Sequence, residues 1–219
     1  MTYPSGQNLI LADGLIRDAL IKVTNYIDKT YLPLFGLDPI QSTTIMHYLS
    51  DWSKLVVDQN NRSRIHHWEF NPHQMTRENV GHEAGHRIDD LKLPRSFESF
   101  EDYNRGELVA NLVGSFFTAF EDSELEELIE TAKQQILSID FGGRLDLREQ
   151  DYEHEARHLG GRNAADYLIG KADGNKLALH EFLEQLLSLG TTGAVDFLRE
   201  NGYNQPLFLE PTPGIHRAD

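Results

Sequence analysis

The sequence predicts a mostly helical protein of the α+β class, in which one short β element precedes a helix that carries paired histidines. Three observations support this class. Apolar residues recur at helical spacing through most of the 219 residues. The stretch from Ile65 to Phe70 alternates as a short strand does. A polar, histidine-containing segment, residues 77–88, follows that stretch within a few residues.

The N-terminal part of the chain is predicted to supply scaffold helices. Apolar side chains line one face of a helix from Leu9 to Ile27. The stretch from Tyr31 to Gly36 ends this helix, because its proline and glycine do not continue a helix comfortably. A second amphipathic helix is predicted from about Ser42 to Val57, before a polar loop leads into the strand.

The segment after the strand contains the pattern H-E-x-x-H, as His82-Glu83-x-x-His86, in a helix predicted to begin near Thr76. Residues four apart lie one above the other on a helix, so both imidazoles can reach one metal ion. Glu83 lies beside them, where it can take a proton from a metal-bound water. Zinc is the usual metal for such a pair. An amphipathic helix with two solvent-exposed histidines and no metal would show the same sequence pattern.

A strongly apolar helix is predicted from Tyr103 to Phe117, after a loop from Asp89 to Asp102, and Glu107 is the unusual residue within it. Glu107 is a candidate third ligand, with Asn111 one turn further on and able to hydrogen-bond a ligating histidine. The alternative is that the helix dipole simply favours a glutamate near the start of the helix.

His82-Glu83-x-x-His86 followed by Glu107-x-x-Ala110-Asn111 resembles the gluzincin metallopeptidases, the thermolysin-like clan with its small ImmA/IrrE-like relatives. The resemblance covers about Trp68 to Phe117. It implies a zincin-like helical domain in which His82, His86 and Glu107 bind zinc and Glu83 activates water. It also implies that Asn111 supports a ligating histidine, although the clan more often has an aspartate there.

The second half of the chain is predicted to be helical. An acidic helix runs from Glu121 to Leu137, and Phe141-Gly142-Gly143 then breaks the chain. That break predicts a metal-binding catalytic domain over 1–141 and a C-terminal helical lobe over 142–219 that completes the site. A further amphipathic helix is predicted over 175–189, and after Gly190 to Gly193 a short helix runs to Leu198.

A second H-E-x-x-H, His154-Glu155-x-x-His158, lies in this lobe, and His180-Glu181 is the one later candidate for a third ligand. That pair belongs to an ordinary amphipathic helix, so a second zinc site is not expected. His158, the glycines that follow it and the stretch 163–168 resemble the part of thermolysin-like enzymes that stabilises the tetrahedral intermediate. The resemblance implies that His158, or less favourably His154, donates to the oxyanion. A solvent-exposed helix without a catalytic role explains the same sequence pattern equally well.

The leading functional interpretation is a zinc-dependent hydrolase, a metallopeptidase acting on a peptide or protein substrate. A second interpretation is a di-iron carboxylate oxidoreductase, because Glu83-x-x-His86 and Glu155-x-x-His158 are two E-x-x-H pairs of the kind that ferritin-like sites use. Asp51 and Glu121 precede the two pairs at plausible distances. Gly160-Gly161 counts against this interpretation, since it is expected to interrupt the last helix.

A minor alternative is a metal-containing isoprenoid or lipid carrier, because Gly106-Glu107 after the motif faintly resembles the coenzyme Q biosynthesis protein family. An inactive zincin used as a binding module is a further alternative. The chain has no cysteine, so any metal ligands are His, Asp or Glu. A net charge of −15 argues against nucleic acid as a partner, and no apolar run reaches the roughly 20 residues of a membrane span. A soluble cytoplasmic protein is expected, while substrate specificity and oligomeric state are left open.

Overall fold

A computed structural model describes residues 6–38, 54–57, 66–69, 75–93, 100–138 and 152–207, with side chains for 18–38, 75–93, 103–138 and 158–207. Seven α-helices account for most of these residues, which confirms the mostly helical class. Their bounds are α1 Gly6–Thr30, α2 Arg77–Lys92, α3 Phe100–Ala119, α4 Ser123–Leu137, α5 Tyr152–Ala172, α6 Lys176–Ser188 and α7 Thr191–Glu200. A short 3₁₀ helix, Leu32–Phe35, follows α1.

Two four-residue strands precede α2. β1, Lys54–Val57, pairs antiparallel with β2, His66–Glu69, so that Lys54 lies opposite Glu69. β2 falls within the stretch 65–70. β1 corrects the prediction of a helix continuing to Val57, because a run rich in β-branched valine pairs with β2. The remainder of that predicted helix, residues 42–53, lies outside the described residues.

Helix α3 is the centre of the molecule, as its strongly apolar sequence predicts. It packs most extensively against α2 and α5, and it also contacts α6 and α7. Nearly every described side chain from Asn104 to Phe117 is buried, including that of Glu107. α1 packs on α4. Among the described residues, no helix is both long and apolar enough to cross a membrane.

Glycines allow α2 and α5 to approach α3 closely. A methyl group added at Gly85 of α2 would lie 2.6 Å from Ala110 Cα of α3, and one added at Gly81 would lie 2.9 Å from Gly114 Cα. Where α5 meets α3, a methyl group added at Gly161 of α5 would lie 2.6 Å from Glu107 Cβ. These helices therefore meet almost backbone to backbone.

Helix α5 runs without a break through Gly160 and Gly161. The prediction that these glycines interrupt the helix is therefore wrong. Glycine lowers helix propensity by about 1 kcal/mol relative to alanine. Here that loss is offset by close packing, because both glycines press against neighbouring backbone.

Two buried arginines connect the helices. Arg87 of α2 makes a two-pronged pair with Asp28 of α1, at 2.5 and 3.0 Å. Arg105 of α3 pairs with Asp89 of α2 at 2.5 Å. α2 continues to Lys92 and α3 begins at Phe100, so the loop predicted from Asp89 to Asp102 is shorter than expected. Asp89 lies inside α2, where Arg105 compensates its buried charge.

Candidate metal centre

Helix α2 presents the two histidines of the motif. Thr76 caps its N-terminus by accepting a hydrogen bond from the Asn79 amide at 3.2 Å, which confirms the predicted start of the helix. Gly81 and Gly85, each one residue before a histidine, bring this helix against α3. The Nε2 atoms of His82 and His86 lie 3.1 Å apart.

Helix α3 supplies the third candidate ligand. Glu107 has a side chain only 3% exposed, with Oε1 at 3.2 Å from His86 Nε2 and Oε2 at 3.7 Å from His82 Nε2. The ligand atoms of His82, His86 and Glu107 all lie within 4.8 Å of one another. The three residues predicted as ligands are thus brought together from two helices.

This cluster fits a metal ion in both chemistry and size. Two imidazoles and a carboxylate are the set found in catalytic zinc sites of the His₂Glu type. Bonds of about 2.0–2.1 Å at tetrahedral angles place ligand atoms about 3.3 Å apart. The imidazole nitrogens lie 3.1 Å apart and His86 lies 3.2 Å from Glu107 Oε1, both close to that value. His82 lies 3.7 Å from the other oxygen, Oε2, and with one ligand atom taken from each residue the set lies within 4.8 Å. The group could therefore hold a metal ion once the ligand atoms draw closer together, and the identity of the metal stays a prediction.

The surroundings of the cluster favour the protonation states that bind metal, namely an ionised Glu107 and a neutral His82. Burial acts to raise the pKa of the Glu107 carboxyl, but His86, His158 and His82 outweigh it and hold that pKa well below its usual range. Burial lowers the pKa of His82 to about 4, with a further contribution from the neighbouring His86. A neutral imidazole beside an ionised carboxylate is the state in which both groups bind metal.

His158 of α5 joins the cluster through Glu107. Its Nδ1 lies 2.9 Å from Glu107 Oε2, and its Nε2 lies 2.6 Å from the hydroxyl of Tyr103. The close contact between Gly161 and Glu107 brings this part of α5 to the carboxylate. Sequence reasoning selected His158 but missed Tyr103. The signal for Tyr103 was its position one helical turn before Glu107, which places both on one face of α3.

Glu83, the predicted base, is 1% exposed and follows His82 on α2. Asn111 donates from Nδ2 to the backbone carbonyl of Glu107 at 2.7 Å. This bond supports the backbone that carries Glu107. The predicted bond from Asn111 to a ligating histidine stays a prediction.

Other predicted candidates lie elsewhere or outside the described residues. Glu121 is exposed beyond the end of α3, about 20 Å along the helix direction from Glu107. His180 packs against Phe35 and Phe116 and lies 3.1 Å from the Leu34 carbonyl, which agrees with an ordinary amphipathic helix. Asp51 and the side chains of His154 and Glu155 lie outside the described residues.

Comparisons with protein-family models, with curated proteins and with solved structures found no match to this chain. The resemblance to gluzincins therefore stays a prediction carried by the motif residues.

Proposed function

We propose that the chain is a zinc-dependent hydrolase of the metallopeptidase kind, acting on peptide bonds. The observation that carries the proposal is the convergence of His82, His86 and Glu107 within 4.8 Å, with Glu83 on the same helix as the two histidines. Three protein ligands leave a coordination position open, which is the arrangement of catalytic rather than structural zinc sites.

The residues of the chain have separate roles in this proposal. His82, His86 and Glu107 hold the metal, which when bound supplies Lewis acidity and lowers the pKa of a water molecule. Glu83 takes a proton from the attacking water as the new carbon–oxygen bond forms. Glu83 then gives that proton to the amine nitrogen as the carbon–nitrogen bond breaks, so the peptide becomes a carboxylic acid and an amine.

A di-iron carboxylate site is the second candidate, and one observation favours it. Glu107 lies between the histidines of the two E-x-x-H pairs, with His86 at 3.2 Å from one oxygen and His158 at 2.9 Å from the other. The continuity of α5 also removes the objection raised by its glycines. Against it stand the exposed position of Glu121 and the placement of His82, which this site does not use.

Metal analysis combined with two variants separates the candidates. We expect about one zinc per chain. His82→Ala is expected to abolish metal binding, because it removes one of two imidazoles 3.1 Å apart. Glu83→Gln is expected to retain zinc and to lose hydrolysis of an unstructured peptide, because an amide does not accept the proton. His180→Ala is the matched control, since His180 lies against Phe35 and Phe116 instead of the cluster.

The opposite pattern of metal content in these variants would replace the zinc hydrolase with the second candidate. Two irons per chain, retained in His82→Ala and lost in Glu83→Gln, would identify the di-iron site. Full zinc with no hydrolysis of any peptide tested would indicate a non-catalytic metal site.

A further inference from the structure

Tyr103 and His158, to which the catalytic proposal gives no role, form a hydrogen-bonded series that ends on the buried side chain of Glu107. The hydroxyl of Tyr103 lies 2.6 Å from Nε2 of His158 and 3.4 Å from its Nδ1, so the bond is to Nε2. Nδ1 of His158 lies 2.9 Å from Oε2 of Glu107. The series thus runs from Tyr103 through His158 to the carboxylate of the candidate third ligand.

We infer that Tyr103 and His158 are positioning residues, which together hold the Glu107 carboxylate in the orientation that binds metal. The inference rests on the metal site of the proposed function. It gives His158 a role in supporting a ligand, in place of the oxyanion donor predicted from the sequence.

The partners on each side determine which nitrogen of His158 carries the proton. An ionised carboxylate only accepts hydrogen bonds, so Nδ1 carries the proton and donates to Glu107. In the neutral imidazole Nε2 is then an acceptor, and Tyr103 donates to it. Without the Tyr103 hydroxyl, the ring can place its proton on Nε2 instead, and Glu107 loses a donor.

The geometry of the cluster explains why this support matters. Oε2 is engaged by His158, while Oε1 faces His86 at 3.2 Å. A carboxylate fixed at Oε2 by His158 keeps Oε1 directed at His86 and holds Oε2 itself 3.7 Å from His82 Nε2. Partners that hold metal ligands in place typically change metal affinity by about 10–100-fold when removed.

Substitutions at His158 separate support of Glu107 from direct contact with metal or substrate. The amide nitrogen of asparagine falls near the position of Nδ1, so His158→Asn keeps a donor for Glu107. Glutamine places its amide nitrogen near Nε2, and His158→Gln does not keep that donor. We expect His158→Asn to bind zinc within about threefold of wild type and His158→Gln to bind about 10–100-fold more weakly.

Tyr103→Phe tests the outer end of the series, because it removes only the hydroxyl and retains the ring that packs edge-on against His158 at 4.9 Å. We expect its zinc affinity to fall by up to about tenfold, the lower end of the range for supporting partners. Tyr167→Phe is the matched control. It removes a hydroxyl from α5 that donates to the Asn201 carbonyl, about 13 Å along the helix from His158.

Zinc affinity is measured by competition with a chromophoric chelator. The protonated nitrogen of His158 is read from nitrogen-15 shifts in the metal-free protein. Wild type with the proton on Nδ1, and Tyr103→Phe shifted towards Nε2, support the inference. Either of two results overturns the inference without affecting the zinc site. One is a wild-type protein with the proton on Nε2 of His158. The other is a zinc affinity that falls equally in His158→Asn and His158→Gln. If wild type binds no zinc, the proposed function fails, and the nitrogen shifts still decide whether the series exists.

Discussion

Replacing Gly161 by alanine tests whether close contact between α5 and α3 builds the candidate site. The added methyl group would lie 2.6 Å from Glu107 Cβ and 2.9 Å from the Leu108 amide nitrogen, and closer still to the Asn104 carbonyl. Carbon atoms pack at about 3.5–4.0 Å, so the two helices must separate by about 1 Å. His158 Nδ1 would then lie about 3.9 Å from Glu107 Oε2, which is too far for a hydrogen bond.

The free energy of unfolding combines two opposing effects. Overpacking typically costs about 1–3 kcal/mol, whereas glycine to alanine within a helix gains up to about 1 kcal/mol. Gly170→Ala is the matched control, because Gly170 lies in the same helix and its added methyl group meets no atom within 4 Å. The difference between the two variants removes the helix-propensity effect. We expect Gly161→Ala to be about 1–3 kcal/mol less stable than Gly170→Ala.

Urea unfolding of the metal-free proteins and zinc competition are the two assays. We expect Gly170→Ala to be slightly more stable than wild type and to bind zinc equally well. Gly161→Ala should bind zinc about 10–100-fold more weakly, because Glu107 loses its partner. If Gly161→Ala matches Gly170→Ala in both assays, contact between these helices does not position the site.

Three further predictions concern charge and protonation. Glu107→Gln should weaken zinc binding by more than the roughly 100-fold of an outer partner, measured by chelator competition. Because the pKa of His82 in the metal-free fold is about 4 and its ordinary value 6.5, the unfolded chain binds more protons between these values. The metal-free protein should therefore lose up to about 3 kcal/mol as pH falls from 6.5 to 4, and His82→Leu should flatten this slope in urea titrations. Arg105→Met breaks a buried pair and should lower the free energy of unfolding by about 3–5 kcal/mol. Arg199→Met, at a surface pair, should change it by less than about 1 kcal/mol, and equal losses in the two would contradict the importance of the buried pair.

Local patterns predicted most of the helices. α1, α3, α6 and α7 each show apolar residues at helical spacing, and Thr76 marks the start of α2 with a capping side chain. Such signals depend on residues close in sequence, so a single chain is sufficient to detect them.

The errors arose where distant contacts outweigh local preference. Gly160 and Gly161 indicate a helix break when considered alone, but they continue α5 because Gly161 lies against the backbone of α3 and Gly160 against the carbonyl of Leu207. Asp89 indicates a loop, but it remains helical because Arg105 neutralises it in the interior. Lys54–Val57 pairs with a strand that lies further along the chain.

The candidate site also contains some residues that local sequence patterns reveal and others that depend on how the helices pack. His82 and His86 are four residues apart and form a recognisable pattern, and Glu107 stands out as an acid in an apolar helix. Tyr103 has only its position one helical turn before Glu107 as a signal, and that signal is weak, since a tyrosine in a buried helix is an ordinary core residue. Its relation to His158 depends on how α5 packs against α3, which local spacing does not specify.

The contacts of Arg105 limit how the protein can be dissected. Its guanidinium group donates to the carbonyls of Leu186 and Leu189 at 2.9 and 3.0 Å, so it caps the end of α6 from a different helix. A fragment ending after α4 would lack these acceptors and would also leave Glu107 uncovered on the side where Gly161 lies. We therefore expect α3 to need the helices after α4 in order to be a stable interior element. A fragment made to isolate the H-E-x-x-H motif should retain them.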